Sequence, residues 1–503
     1  MRIEDVRNVK TAALSAAVLL FGAGLGAVAQ DTRAVTEPKV PPVCVKLGAE
    51  LWAAPDANGG RLREEDEGKL DTERIQKAMD GCGAGKAVEL ADHVGPLRGK
   101  AGNAYLTGPL ELREGVTLLV DKGVTLFASR NPKVFEVAKA GDPQKCGTSE
   151  PRPTSFPTFA LGGARPRGGC RPLISVMNVK NAAIMGEGTI DARGYAQILG
   201  KDYTWWQMAR RAQPHDDLYY GIRMIVANHA DGFILYGIHL NNSGNYHVSV
   251  GGTNGFTAWG VHLQTPVDKK LIGTENDARN TDGIDPGGSE NITVAHSWID
   301  NGDDNIAIKQ GVSHMSVIDN HFYSGHGMSI GSETVLGQSF LLVDGLTEDH
   351  TTSGIRIKSN VKRGGPVHDL VYKNICMRDV PIPIAISPYY TNQTVEPFED
   401  PKYEGDKIPD YKGIKLENIF ATTPGDVLIA GLEGHVTEVK LDHVFLTGIK
   451  PSQVHLDYAK LVVGLTNIPL MPELEKNHVE VTHTVHNNAL MADPCKGKFV
   501  PYQ

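Results

Sequence analysis

The stretch NTDGIDPGGSENITVAHSWIDNGDDNIAIK, Asn280–Lys309, interleaves short apolar runs with glycines and carries aspartates at 282, 285, 303 and 304. Carboxylates this close among apolar runs repel one another and lose hydration, so they need either a metal or a shared proton. Inside the stretch, NITVAHSWI is a strand-sized apolar run interrupted by a turn residue. The same pattern recurs in AAIMGEGTI, GFILYGIHL, GFTAWGVHL, HMSVIDNHF, FLLVDGLTE, DLVYKNICM, GIKLENIFA and VTEVKLDHV. From Val294 to Val317, Val343 and Val371 the steps are 23, 26 and 28 residues. Repeats of this length mean a solenoid or array, and neither the fixed Leu/Asn signature of leucine-rich repeats nor the longer units of propellers are present. Variable steps joining short apolar-x-apolar strands predict an all-β chain, a right-handed, single-stranded parallel β-helix, rather than a β-sandwich.

The 503 residues are 41% hydrophobic and 22% charged, an ordinary globular composition. A solenoid grows along one axis, so this length does not require several domains. With a formal charge of −9 the chain is not steered to polyanions, which speaks against nucleic acid as a partner. Any anionic ligand must meet a local basic cluster.

Arg2, Arg7 and Lys10 precede an apolar run, Thr11 to Leu20, and Ala27-Val28-Ala29 offers a small-residue cleavage site. Residues 1–29 are therefore expected to be an export signal rather than a membrane anchor. The protein would be secreted, extracellular or periplasmic, with no stable membrane association. Residues 30–70, polar and Pro-rich, read as a linker or lead-in segment. Asp71 to Cys82 reads as a capping helix, with Ile75, Ala78, Met79 and Cys82 on one face. Residues 71–470 would form the β-helix and 471–503 a C-terminal capping tail. Of the 15 pairings that six cysteines allow, Cys146–Cys170 is the expected one, because it would staple a Pro/Gly/Arg-rich insertion. Trp205-Trp206 reads as packing.

Residues one coil apart stack about 4.8 Å from each other. Asp282 to Asp303 is 21 residues and Asp304 to His326 is 22, so the acids and the imidazole should line one outer groove above Ile306 and Ile308. Stacked carboxyls cannot all ionise freely, so at least one should keep its proton while another stays charged. A protonated acid beside an ionised base is the equipment of a glycoside hydrolase. In the next coil Arg356 and Lys358, two apart on a strand, share a face. Paired cations beside paired acids point to a substrate that itself carries carboxylates.

At these residues the sequence resembles the polygalacturonases, glycoside hydrolase family 28. The four motifs of that family stand in order as Asn280-Thr281-Asp282, Gly302-Asp303-Asp304, Gly325-His326-Gly327 and Arg356-Ile357-Lys358. The likeness runs from about Asp71 to Phe445, and its wording is similar to secreted bacterial, endo-acting members. It implies hydrolysis of α-1,4-galacturonan in pectin with inversion, no metal and no cofactor, by a monomer. By position, Asp303 is implied as general acid and Asp282 and Asp304 as activators of water. His326 would tune the acid's protonation. Arg356 and Lys358 would hold galacturonate carboxylates, Asn280 would orient the first acid or touch sugar, and Tyr390, with Tyr389 the alternative, would contact substrate. The competing readings are an exo-acting enzyme, a calcium-dependent pectate lyase and a non-catalytic polysaccharide-binding solenoid.

Overall fold

A computed structural model describes residues 30–92, 102–137, 143–152, 169–391, 397–470, 477–484 and 494–503. The expected export signal and most of the insertion after Cys146 lie outside them. The chain winds as a parallel β-helix. Strands of the solenoid pair in parallel with the strand one coil later, as in Ile292–Ala295 against Met315–Ile318 and then Leu341–Asp344. Val294, Val317 and Val343 are register partners and buried. The fourth member of that column is Tyr372, not the expected Val371. That coil holds one residue more than the apolar pattern suggested, and the Tyr372 ring fills the core.

The turn residue that closes each repeat has a conformational reason. His296, Asp319, Asn374, Asn418 and His443 all have φ between 49° and 56°, and Gly186, Gly237, Gly260 and Gly345 occupy the equivalent corner with φ also positive. Each bends the chain sharply, at a strand end or, for Asn374, Asn418 and His443, inside a longer strand, in the left-handed region that glycine and Asn or Asp tolerate best.

Among the described residues one eleven-stranded parallel sheet carries the motifs, running through Val248–Gly251, Ile284–Gly287, Ile306–Ile308, Met328–Gly331, Ser353–Lys358 and Ile382–Ser387. Its inward column, Ile284, Ile306, Met328, Ile355, Ile384 and Val427, is in register and fully buried. Each such side chain contributes about 1.5–3 kcal/mol of burial, so the sheet is rigid from beneath. Side chains of alternate residues face the outer groove.

The capping helix forms at Thr72–Gly81, with Ile75 and Met79 buried against the first coil. The segment before it is more than a linker: Val43–Gly48 adds a parallel strand to Lys86–Ala91, and Cys44 is bonded to Cys82. Trp205 and Trp206 lie buried in a helix, Trp205–Ala212, where the Trp206 indole N–H donates to the Ser243 carbonyl at 2.7 Å. The expected Cys146–Cys170 bond is present. No helix among the described residues is long and apolar enough to cross a membrane.

The tail departs from the expected end cap. Glu480–His483 continues the sheet beyond residue 470, and the last residues run back along the side of the solenoid. Cys376–Cys495 ties them there, and the Tyr323 hydroxyl donates to the Val500 carbonyl at 2.8 Å. This disulfide closes a separation of 119 residues. Replacing Cys376 and Cys495 by serine together is expected to lower unfolding free energy by about 2–5 kcal/mol, read by urea denaturation.

Candidate active site

Ile284, Ile306 and Met328 are register partners, so the residues two places before each, Asp282, Asp304 and His326, fall in one column at the sheet's entry. The main chain confirms the phase: the N–H of Gly283 donates to the Asp304 carbonyl at 2.9 Å, and that of Asn305 to Gly327 at 3.2 Å. Asp303 precedes Asp304 on the same turn. Oxygens of Asp282, Asp303 and Asp304 all lie within 4.8 Å of one another. The groove is deeper than the sequence suggested: Asp282 is 4% exposed and Asp304 1%, while the Asp303 side chain, at 22%, faces the opening.

Each charge in the cluster has a counterpart. Arg356 Nη1 donates to Asp304 Oδ1 at 2.9 Å and Lys358 Nζ to Asp304 Oδ2 at 2.7 Å. Burial alone would raise the Asp304 carboxyl, but Lys358 and Arg356, then Lys309 and His326, hold it well below the usual carboxylate range. Asp282 is pushed the other way, well above that range, by burial and by Asp285 and Asp303. Among the described residues its Oδ1 meets no hydrogen-bond donor. Asp285, buried on its strand, is pushed up to about 7 by burial, an effect Lys309 only partly offsets. Against these four carboxyls stand three cations, Arg356, Lys358 and Lys309. One proton brings the cluster to neutrality, so three side-chain cations and a shared proton compensate the carboxylates.

Lys309 escaped the sequence reading. Its Nζ is 3.8 Å from Asp282 Oδ2, and although burial opposes its charge, Asp285, Asp282 and Glu333 raise it well above the ordinary lysine value. His247 also escaped. It is fully buried, its Nδ1 donates to the Asp282 carbonyl at 3.0 Å, and burial lowers it to about 4, so it holds that turn as a neutral ring. Their only sequence signal was phase, a basic or ring residue beside a motif.

His326 Nδ1 is hydrogen-bonded to the Thr352 hydroxyl, which itself donates to the Gly325 carbonyl at 3.2 Å. Burial lowers the imidazole, with Asp303 pulling it back up, so the ring is neutral near pH 7. With Nδ1 as donor, Nε2 presents a lone pair 4.0 Å from Asp303 Oδ1. Asn280 sits half-buried before Asp282 with φ 50°. Tyr390 lies over both cations, its ring centre 5.4 Å from Lys358 Nζ and 6.0 Å from Arg356 Cζ. Tyr389 points elsewhere, buried, with its hydroxyl on Asp457 Oδ2 at 2.7 Å. The sheet therefore brings Asn280, the three acids, His326, both cations and Tyr390 to one groove, and leaves Tyr389 out.

Asp285 sets a pH dependence. A carboxyl near 3.9 in the unfolded chain and about 7 in the folded one contributes stability that is complete below pH 4 and lost as pH rises through 7. Asp285→Asn is expected to flatten that fall, gaining on the order of 1–4 kcal/mol over the parent chain between pH 4 and 8. Urea midpoints across that range check it.

The pattern of the Glycosyl hydrolases family 28 matches residues 160–464. An endo-polygalacturonase of Pectobacterium carotovorum subsp. carotovorum is 37% identical over 86% of this chain and 94% of its own length. A polygalacturonase of Ralstonia solanacearum is 34% identical over 81% and 77% respectively. The solved polygalacturonase from Erwinia carotovora ssp. carotovora superposes with a TM-score of 0.68 at 34% identity, covering 85% of this chain and all of that one. With the motifs in one groove of a parallel β-helix and relatives this similar over most of their length, the chain belongs to glycosyl hydrolase family 28.

Proposed function

We propose that the chain hydrolyses α-1,4-galacturonosyl linkages within polygalacturonan, the free-acid backbone of pectin, in endo fashion and with inversion. The observation that carries this reading is the phase of the motifs: a proton-bearing acid cluster and two cations in one groove suit cleavage of a polymer that bears carboxylates. Asp303, the exposed member, gives its proton to the leaving oxygen as the bond from that oxygen to the anomeric carbon breaks. His326 Nε2 stands 4.0 Å from Asp303 Oδ1, beside the site of that transfer. Water attacks the opposite face of the sugar. Asp304, pinned ionised by Arg356 and Lys358, orients it, and Asp282, the more basic carboxyl, takes its proton and restores the cluster. Because the transition state is oxocarbenium-like, orientation matters more than early deprotonation. Tyr390, Asn280, Arg356 and Lys358 face the bound sugar and its carboxylate.

The nearest carboxyl oxygens are closer together than the roughly 6.5–9.5 Å usual for inverting pairs, so separation alone does not set the stereochemistry. NMR of the first anomer released from galacturonan is expected to show inversion. A retained anomer would refute the water-holding roles of Asp282 and Asp304. A lyase would instead release an unsaturated end absorbing in the ultraviolet, and no such absorbance is expected. Three disulfides support export, with residues 1–29 as the signal. The enzyme would act as a monomer on pectin, without nucleic acid or membrane as a partner.

A further inference from the structure

The column that holds the catalytic groups continues past them. Ile225 and Val248 are the register partners that precede Ile284, so the residues two places before them, Arg223 and Tyr246, extend the line Asp282, Asp304, His326. The Met224 N–H donates to the Tyr246 carbonyl at 3.1 Å, and the His247 N–H to Asp282 at 2.9 Å, which keeps the column in phase. At about 4.8 Å per rung, Arg223 stands roughly 10 Å beyond Asp282 along the groove.

These residues line a cavity of about 350 Å³ together with Arg152, Asp217, Tyr219 and Asn245. Tyr219, on its wall, lies within electrostatic reach of the acids: burial, then Asp282 and Asp303, raise its phenol. The Asn245 amide donates to the Tyr219 hydroxyl at 3.1 Å, fixing that ring. Arg152 is bound to Asp216. Arg223 differs. Its guanidinium lies over the Tyr246 ring, 5.2 Å from the centre, half-buried, with no carboxylate in salt-bridge contact among the described residues; Asp285 feels its charge from further off. A planar cation oriented by an aromatic face and lacking a direct anionic partner there is suited to a carboxylate from outside.

We propose that Arg223 and Tyr246 form a subsite for the ionised carboxylate of a uronate residue on the far side of the acids from Lys358, so that efficient cleavage needs a run of unesterified uronates reaching it. This rests on the hydrolase reading and adds a specificity-determining residue to it. Mutation and chain length test it separately. Arg223→Gln is expected to raise KM for polygalacturonan at least tenfold while kcat changes by less than about threefold. Its preference for polygalacturonan over highly methyl-esterified pectin should shrink by a similar factor, and Arg223→Lys should recover part of it. On the parent enzyme, kcat/KM against oligogalacturonates of increasing length should step up at the length that reaches Arg223, and Arg223→Gln should abolish that step. An unchanged KM and an unchanged length profile in a folded Arg223→Gln protein would overturn the subsite and leave the hydrolase reading standing. Should that variant fail to fold, a parent length profile with no step overturns it equally. No cleavage of any galacturonate by the parent enzyme would sink both.

Discussion

Asp303→Asn is expected to reduce turnover of polygalacturonan by about 10²–10⁴-fold, the range for loss of a positioned general acid, while the melting temperature and polymer binding stay close to those of the parent. The separation of effects follows from geometry. Asp303 is the exposed member of the cluster, and the hydrogen bond that its side chain accepts among the described residues, from the Asp304 N–H at 2.9 Å, goes to an oxygen that an asparagine also carries. Nothing buried is orphaned, so the loss falls on proton delivery. Reducing-end release and equilibrium binding to galacturonan read the two quantities independently. Full turnover in the variant would mean that another group protonates the leaving oxygen.

Lys309→Met is expected to act in the opposite way, on stability first. Lys309 faces Asp282, Asp285, Glu333 and Asp304, and its removal leaves buried carboxylates one cation short. Breaking a buried charge arrangement from one side costs up to about 3–5 kcal/mol. The sign with pH is fixed: the stranded carboxyls must be ionised for the penalty to act, so it is largest above pH 7 and shrinks as they protonate toward pH 4. Urea denaturation at pH 8 and pH 4 reads the difference, and an equal loss at both would mean that Lys309 serves through its methylene packing instead.

The architecture was legible because its information is local and repeated. Every coil shows a short apolar run and a corner residue that tolerates positive φ, and nine copies outweigh the ambiguity of one. The acids were legible because 22 residues separate both Asp282 from Asp304 and Asp304 from His326, one uninterrupted coil each. Where a coil carries an insertion the phase is lost. Tyr246 and Asp282 are also column neighbours but stand 36 residues apart, because the intervening coil includes the 3-10 turn Lys269–Leu271 and the excursion around it. That hid Tyr246 and Arg223. The Val371-for-Tyr372 error has the same origin, one extra residue in a turn. Lys309 was invisible for a different reason: a single lysine after Ile306-Ala307-Ile308 reads as a solvated end, and only the coordinates put it among acids. The lead-in strand Val43–Gly48 and the returning tail are long-range pairings, held by Cys44–Cys82 and Cys376–Cys495, that no periodicity announces.

The most direct measurement is a crystal structure of the Asp303→Asn protein soaked with an oligogalacturonate. The account expects the chain to run along the column, with a glycosidic oxygen within hydrogen-bond distance of residue 303, a water between Asp282 and Asp304, and an adjoining carboxylate against Arg356 and Lys358. An oligosaccharide bound across another face, or one whose linkages all lie beyond reach of residue 303, would contradict it.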